Sequence, residues 1–308
     1  MNVLAAAHEL PPGARPVCVG IGVFDGVHLG HQQVIRQTLA DAHQLGGVAV
    51  VLTFDRHPNT VVAPDRVPPM LYSLPQKLRT LAALGVAHTL LLPFDRAFSQ
   101  QTGEQFIRNL AQGFGRLGSI CVGREFTFGH KRSGNVALLQ QLGAELGYTV
   151  HGLAALASGG EAVSSTRIRD AVRAGDFAAA SQMLGRAYAL AGRVQRGDQL
   201  GRQLGFPTAN LDVTGLALPP QGVYAVRARL GERELRGALN LGVRPTLASP
   251  TPVPRCEVHL LDFAEEIYGA ELEVTFVTKL RGEQKFPSLA VLREQIQADV
   301  SAARQLLA

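Results

Sequence analysis

The strongest constraint on the fold is a glycine-containing turn near the N-terminus that joins a buried strand to a helix. An apolar run, Pro16–Phe24, predicts the strand, and an amphipathic pattern from Gly30 to Leu45 predicts the helix. Gly26 lies in the turn and can adopt backbone angles that other residues avoid. Gly30 has no side chain and would let a ligand approach the backbone where the helix begins. We therefore expect an anion-binding strand–turn–helix unit at this point of the chain.

Two histidines, His28 and His31, occur at the start of the predicted helix. Residues at positions i and i+3 of a first helical turn face the same way, so both imidazoles can point at one anion. This arrangement suits nucleotidyl transfer, in which a phosphate attacks the α-phosphorus of a nucleoside triphosphate and positioned donors stabilise the growing charge. The alternative interpretation is a glycine-rich turn with two solvated histidines. A Walker-type phosphate loop is excluded, because no Gly-x-x-x-x-Gly-Lys-Ser/Thr occurs in the chain.

Length and composition indicate a globular protein with two domains. The chain has 308 residues, which corresponds to about two domains, and 46% of them are hydrophobic against 18% charged. No apolar run reaches the roughly 18 residues that span a bilayer, so we predict no membrane partner. Met1–Pro12 lacks the pattern of a secretory signal, so the predicted location is cytoplasmic.

Charge and cysteine content narrow the possible partners. The net charge is +5, but the arginines are dispersed and no basic run or basic helix occurs, so we predict no nucleic-acid partner. The three cysteines, Cys18, Cys121 and Cys256, are too far apart in sequence to indicate a disulfide framework or a zinc site. Cys18 and Cys121 lie in strand-like runs and are expected in the core.

Residues 16 to 153 alternate between strand and helix patterns, which predicts a doubly wound parallel sheet. Thr102 with Gln105 forms a predicted capping box before the third helix. The predicted strands are Pro16–Phe24, Val48–Phe54, Thr89–Phe94, Ser119–Val122 and Tyr148–Leu153, and the predicted helices are Gly30–Leu45, Leu74–Leu84, Gln105–Phe114 and Val136–Leu146.

Ligands of such sheets bind beyond the carboxyl ends of the strands. His57 follows the second predicted strand, and the loop from Glu125 to Asn135 follows the fourth. This loop contains Phe126 and Phe128, two glycines and three basic side chains, a mixture that suits a flat ring carrying phosphates. The alternative interpretation places both phenylalanines in the core.

A second phosphate site is predicted at Ser164–Arg169. Ser165 or Thr166 would cap a short helix, and Arg167 and Arg169 would occupy its first turn. Hydroxyls, helix N–H groups and arginine together bind phosphate well. The same pattern also fits an ordinary capped surface helix.

The pattern changes near residues 185–188, where we place a boundary between domains 1–185 and 186–308. Beyond it, short β-rich runs separated by turns predict a small antiparallel barrel, and an amphipathic pattern predicts a C-terminal helix capped by Ser288. The predicted strands are Gly222–Leu230, Glu234–Leu241, Arg255–Phe263 and Glu271–Lys279, and the predicted helix runs from Ser288 to Leu307.

The second domain has its own candidate site. Gly192–Val194 and Gly197-Asp198 lead into Gly201–Asn210, where a glycine-rich flap followed by Thr and Asn can cover phosphates. The Thr208 hydroxyl and the Asn210 carbonyl are suitable oxygen ligands for magnesium. Glu257, on a later strand, is a candidate base for a substrate hydroxyl. Taken alone, Glu257 also fits an exposed strand residue, and Pro207–Asn210 also fits a capped turn.

Together these motifs resemble the prokaryotic bifunctional riboflavin kinase/FAD synthetase family, over nearly the whole chain. Their order, spacing and division between domains agree with that family. The matching segments are Gly22–His31, Phe54–Pro58, Val122–Gly134, Ser164–Arg169, Gly201–Asn210, Asn240–Thr246, Glu257–Phe263 and Leu280–Phe286.

The resemblance implies two reactions. The barrel would phosphorylate riboflavin to FMN with ATP and magnesium, and the N-terminal domain would transfer AMP from ATP to FMN, giving FAD and pyrophosphate. The implied residues are His28, His31, Arg167 and Glu257 for catalysis; Gly22, Phe24, Gly30, Ser165, Thr166, Gly201, Gly205 and Asn210 for ATP and phosphate; His57, Glu125, Phe126, Phe128 and Arg281 for flavin; and Thr208 with Asn210 for magnesium.

One departure and two alternatives accompany this interpretation. The family usually has Asn or Asp where this chain has Glu125, so the role of Glu125 stays open. A kinase-only protein with a regulatory N-terminal module is one alternative, although intact His28, His31 and Arg167 oppose it. The HxGH motif also resembles class I aminoacyl-tRNA synthetases, but their lysine-rich second signature and anticodon-binding region are not visible. Oligomeric state is not determined by the sequence.

Overall fold

The computed structural model describes residues 1–10, 15–244 and 253–308. These residues form two compact units. The first unit comprises residues 1–70, 74–165 and 183–185, and the second comprises residues 71–73, 166–182 and 186–308. The last two residues of the Asn240–Thr246 segment lie outside the described residues.

The first unit is built on a six-stranded sheet in which every pairing is parallel. The strand order is β1-β4-β3-β2-β5-β6. Their bounds are β1 Asn2–Leu4, β2 Val17–Ile21, β3 Val48–Phe54, β4 His88–Leu92, β5 Leu117–Gly123 and β6 Thr149–Leu153, followed by a two-stranded hairpin of β7 Ala157–Ser158 and β8 Glu161–Ala162.

Helices cover both faces of this sheet because its central strands are apolar on both sides. Val51 faces Ile35 and Leu81 in one buried cluster, whereas the adjacent Val50 faces Leu139 in another. The predicted doubly wound sheet is therefore confirmed. The helices of this unit are α1 Leu29–Gln44, α2 Asn59–Val62, α3 Leu74–Ala83, α4 Arg96–Ser99, α5 Gly103–Phe114 and α6 Val136–Leu146. Two further helices, α7 Ser165–Ala174 and α8 Phe177–Leu184, lie largely in the second unit.

Local signals predicted most of these elements well. The capping box of Thr102 and Gln105 is present at the start of α5. Cys18 and Cys121 are fully buried, as expected. The first predicted strand was too long, because β2 ends at Ile21 and Phe24 adopts a left-handed backbone with φ of 53°. The edge strand β1 was missed, since three residues give little periodic signal.

The second unit contains a closed six-stranded barrel in which every pairing is antiparallel, as predicted. The order around the barrel is β10-β13-β12-β11-β14-β9. The strands are β9 Ala189–Gln195, β10 Ala209–Leu211, β11 Gly222–Leu230, β12 Arg233–Arg244, β13 Val253–Leu260 and β14 Glu271–Arg281, and the helices are α9 Leu200–Gln203 and α10 Leu289–Leu306.

Two barrel strands were missed by the sequence interpretation. Gly192–Val194, which precedes the predicted flap, lies within β9, and β10 contains Asn210 from the predicted phosphate motif. β10 has only three residues, so pairing with β13 and β9, rather than local propensity, makes it a strand.

The C-terminal helix α10 closes one side of the barrel. Its N-cap is Ser288, as predicted, and Val300, Ala303 and Leu307 pack with Ala225 and other buried residues of the barrel strands. Among the described residues, no helix is both long and apolar enough to cross a membrane.

Candidate active sites

The turn after β2 has an unusual backbone. Phe24 and Val27 have φ values of 53° and 42°, and Gly26 between them has a φ of 76°. Non-glycine residues in this region are strained and persist only where the surrounding structure holds them. The turn therefore places the following histidines at the cost of backbone strain.

His28 and His31 lie together at the N-terminus of α1. His28 is the N-cap rather than a first-turn residue, which corrects the prediction in detail, and its Nδ1 accepts a hydrogen bond from the His31 backbone N–H at 3.3 Å. An accepting Nδ1 carries no proton, so the neutral His28 ring has its proton on Nε2. The two rings stack with centroids 3.5 Å apart and planes 18° apart. A Cβ at Gly30 would lie 3.2 Å from the His28 ring, so glycine leaves room for this stack.

Gly22 and Phe24 lie between β2 and the histidines. The Gly22 N–H donates to Leu52 O of β3, which continues the sheet pairing beyond β2. Phe24 is buried, and its ring meets the His31 ring edge-on with centroids 5.3 Å apart. The structure therefore shows Phe24 as a wall for His31, and its predicted contact with ATP stays a prediction.

The helix α7 begins at the second predicted phosphate site. It starts at Ser165, so Ser164 and not Ser165 or Thr166 immediately precedes it, which corrects the predicted cap. The Ser165 hydroxyl donates to Asp25 O at 3.0 Å and so joins the helix start to the histidine turn. Thr166 is exposed and Arg167 is half-buried in the first turn of α7.

The predicted flavin residues of the first unit follow β3 and β5. His57 is half-buried, and its Nδ1 accepts from the Asn59 N–H at 3.1 Å. Phe126 and Phe128 stack with centroids 5.3 Å apart, and both are half-buried against the main core of the sheet. Each ring therefore packs partly against the core and remains partly accessible to solvent. Glu125 is exposed beside them.

A cavity of about 270 Å³ opens on the barrel beside α10. Its walls combine apolar side chains with a few polar ones, as is typical of small-molecule sites. The lining includes Thr208, Asn240, Arg255, Glu257, His259, Arg281, Glu283, Phe286, Leu292 and Ile296. The predicted kinase residues Thr208, Glu257 and Arg281 are thus brought together.

Glu257 occupies the centre of a polar row across three strands. It pairs in register with Asn210 of β10 on one side and Asn240 of β12 on the other. Its side chain is 16% exposed, and its Oε1 lies 2.8 Å from Arg255 Nη2. Burial raises the pKa of Glu257 above its usual range, and the Arg255 charge opposes this shift. A half-buried carboxylate with a raised pKa is suited to accept a proton.

The loop between β9 and β10 closes against this row. A Cβ at Gly197 would overlap the side-chain amide of Asn210, so only glycine fits there without displacing Asn210. Gly201 lines the cavity, and Gly205 has a φ of 90° in an exposed turn.

A second cavity of about 240 Å³ lies at the same loop. Its lining combines apolar side chains such as Val258 and Phe263 with the charged Arg202, Glu265 and Glu266. Thr208 lines both cavities. Thr208 therefore stands where ligands in the two cavities would meet.

Comparison with known proteins identifies the family. Residues 11–167 match the FAD synthetase family profile, and residues 184–307 match the riboflavin kinase family profile. A bifunctional riboflavin kinase/FMN adenylyltransferase of Escherichia coli K12 is 38% identical over 307 residues, covering 99% of this chain and 97% of that protein. The protein of the same description from Pseudomonas fluorescens is 39% identical, covering 100% and 98%. The chain belongs to the bifunctional riboflavin kinase/FMN adenylyltransferase family.

A solved structure supports the same architecture. A crystal structure described as a macrolide-efflux protein from Streptococcus pneumoniae superposes with a TM-score of 0.81, 27% sequence identity and 98% coverage of both chains. That description applies to the pneumococcal protein. The predicted family and the predicted pair of enzyme activities are confirmed by the profile matches and the named relatives, which favour the bifunctional interpretation over the kinase-only alternative.

Arg281, predicted to bind flavin, has a strong intramolecular partner in this riboflavin kinase barrel. Its Nε and Nη2 donate to the Asp299 carboxylate at 2.7–3.0 Å, and both side chains are largely buried. This bidentate pair holds α10 against the end of β14. Its contact with flavin stays a prediction.

The donor set near Thr208 is compatible with magnesium bound through nucleotide phosphates. Thr208 and Asn210 offer neutral oxygens, and magnesium commonly takes few protein ligands together with phosphates and water. No group of three or more His, Cys, Asp or Glu side chains suited to a metal occurs among the described residues. The magnesium site at Thr208 and Asn210 stays a prediction.

Sequence reasoning missed two polar groups at these sites. Arg255 is two residues before Glu257 on one strand, so the period-two rule would have placed both on one face. Lys77 of α3 is buried beneath the histidine turn, and no local motif signals it.

Proposed function

We propose that residues 186–308, which form the barrel, contain the riboflavin kinase site and that residues 1–185, which include the parallel sheet, contain the FMN adenylyltransferase site. The observation that carries the kinase assignment is that Thr208 lines both barrel cavities while Glu257 lines one of them. ATP occupies the second cavity, where Arg202 offers a positive charge, and riboflavin occupies the larger cavity beside Glu257. The transferred phosphate then lies near Thr208.

In the kinase reaction, the riboflavin 5′-hydroxyl oxygen attacks the γ-phosphorus of ATP. The new O–P bond forms as the bond to the β–γ bridging oxygen breaks, and ADP leaves. Glu257 accepts the hydroxyl proton, and Arg255 at 2.8 Å orients its carboxylate. Thr208 and Asn210 would hold a magnesium ion, which supplies charge neutralisation on the phosphates. Gly201 and Gly205 keep the loop close to the nucleotide.

In the second reaction, an FMN phosphate oxygen attacks the α-phosphorus of ATP and pyrophosphate leaves. No protein nucleophile is needed, so positioned donors carry the catalysis. His28 and His31 meet this need at the N-terminus of α1, where the helix dipole also favours an anion. The His28 ring, whose Nδ1 accepts from the His31 N–H, can donate its Nε2–H to a phosphate oxygen.

The remaining predicted residues complete the adenylyl-transfer site. Ser165, Thr166 and Arg167 bind ATP phosphates at the start of α7, and Gly22, Phe24 and Gly30 contribute to ATP binding at the histidine turn. The half-buried rings of Phe126 and Phe128 offer a flat apolar surface to the isoalloxazine of FMN, with His57 and Glu125 at its polar edge. We also propose a cytoplasmic location, where ATP is available.

Isotope transfer tests both proposed reactions. The enzyme is incubated with riboflavin, magnesium and ATP labelled at either the γ- or the α-phosphate, and FMN and FAD are separated by chromatography. The γ-label should enter FMN and FAD, and the α-label should enter FAD alone. Labelled FMN from α-labelled ATP, or no FAD at all, would contradict the proposal.

A further inference from the structure

A buried ammonium group lies beneath the turn that carries the two histidines, and the chemistry described above does not use it. Lys77 of α3 is 4% exposed. Its Nζ donates to Phe54 O at 2.9 Å, to Thr53 Oγ1 at 3.1 Å and to Val23 O at 3.3 Å. An ammonium group has three N–H donors, so this network engages every one of them.

The three acceptors lie at the carboxyl ends of neighbouring strands. Thr53 and Phe54 end β3, and Val23 follows the end of β2. The Thr53 hydroxyl also donates to Val23 O at 3.0 Å, which closes the network. Lys77 therefore joins both strand ends at the peptide that leads into the left-handed Phe24.

The position is electrostatically expensive for a lysine. Burial lowers the pKa of Lys77 to about 8, while the negative charges of Asp25 and Asp55 oppose this shift. An apolar side chain would fill the same volume without the desolvation penalty. Lys77 therefore differs from an apolar side chain at this position by its hydrogen bonds to the strand ends.

We infer that Lys77 is a positioning residue for adenylyl transfer, because it ties the ends of β2 and β3 and so fixes the strained turn that places His28 and His31. The inference rests on the proposed role of these histidines. It implies that the stacked geometry of the two rings depends on a side chain that touches neither ring.

The kinetic test uses Lys77→Met, which keeps the length of the side chain and removes its donors. Misplacing transition-state donors should lower kcat for FMN adenylylation about 10- to 100-fold while the KM values for ATP and FMN change little. Riboflavin kinase turnover, measured on the same preparation, should stay at the wild-type rate.

Leu81→Ala is the matched control. Leu81 lies on the same helix, is fully buried and packs in the cluster that contains Phe24 and Val27, but it has no part in the ammonium network. We expect this variant to lower the thermal midpoint of the protein and to keep adenylylation kcat close to wild type at temperatures where it is folded. An equal kcat loss in Leu81→Ala would show that any destabilisation of α3 suffices, and it would overturn the specific role of Lys77.

A spectroscopic readout is independent of activity. Stacked imidazoles shift each other's ring protons, so the His28 and His31 signals in a carbon–proton correlation spectrum report their geometry. They are assigned with His28→Gln and His31→Gln. Lys77→Met should move both signals towards positions typical of unstacked rings and leave the His259 signal of the barrel unchanged.

If Lys77→Met does not fold, Thr53→Val provides the same test. Valine has nearly the same shape as threonine, and the substitution removes the buried hydroxyl that bonds to both Lys77 and Val23. Wild-type histidine signals and wild-type adenylylation kcat in the folded variant would overturn the inference. A different outcome is that the histidine signals shift in Lys77→Met or Thr53→Val while the His28 and His31 variants keep full adenylylation. That result would support the role of Lys77 in positioning the rings and overturn the proposed function of the histidines.

Discussion

Replacing Glu257 by Gln is the most direct test of the kinase mechanism. Gln keeps the shape of the side chain, and its amide oxygen can still accept from Arg255, which lies 2.8 Å from the carboxylate. The row of Asn210, Glu257 and Asn240 should therefore persist, so the loss reports basicity alone. A general base contributes about 10²–10⁴ in rate. Since phosphoryl transfer is loose and demands little of the base, we expect a loss in kcat of about 10² to 10³, or about 2.7–4.1 kcal/mol.

The assay is steady-state FMN formation from riboflavin and ATP at several pH values. Burial raises the pKa of Glu257, so this carboxylate becomes protonated at a higher pH than an ordinary glutamate does. Wild-type turnover should therefore begin to fall at that higher pH as the solution is made more acidic. Glu257→Gln should lack this acidic limb, keep its KM for riboflavin and keep adenylylation of supplied FMN. Glu234→Gln, an exposed change on β12 outside both cavities, is the control. Near wild-type kinase turnover in Glu257→Gln would refute the assignment of the base.

Three further predictions test the division of labour. His28→Ala or His31→Ala should lower adenylylation kcat about 100-fold or more while kinase activity persists; a parallel loss of both activities in a folded variant would argue against two separate sites. Thr208→Ala should weaken the apparent affinity for magnesium and ATP, with partial rescue by added magnesium; unchanged titrations would remove Thr208 from the metal site. A fragment of residues 186–308 should make FMN and no FAD, whereas a folded but inert fragment would contradict the boundary. The 186–308 fragment lacks the Phe177 ring, which stacks with Tyr188 and Phe276. Scanning calorimetry should therefore show that it unfolds at a lower temperature than a fragment of residues 166–308.

The sequence by itself determined the architecture and most of the candidate chemistry. Strands β3 and β11 and helix α6 have the predicted bounds, because each has a strong periodic pattern between clear breakers. Alternating strand and helix patterns indicated the parallel sheet of the N-terminal part, and short β-rich runs indicated the antiparallel barrel that follows. Motif order then indicated the family, which the comparisons confirmed.

Only the tertiary structure decided how side chains distant in sequence combine. The short strand β10 exists because β13 and β9 pair with it, and this pairing sets Asn210 beside Glu257. Arg281 is held by Asp299 of α10, and Lys77 joins two strand ends 23 and 54 residues before it. Such contacts carry no local signal, because they are fixed by packing and by the need to satisfy buried polar groups, and these forces act on the folded chain rather than on any segment of it.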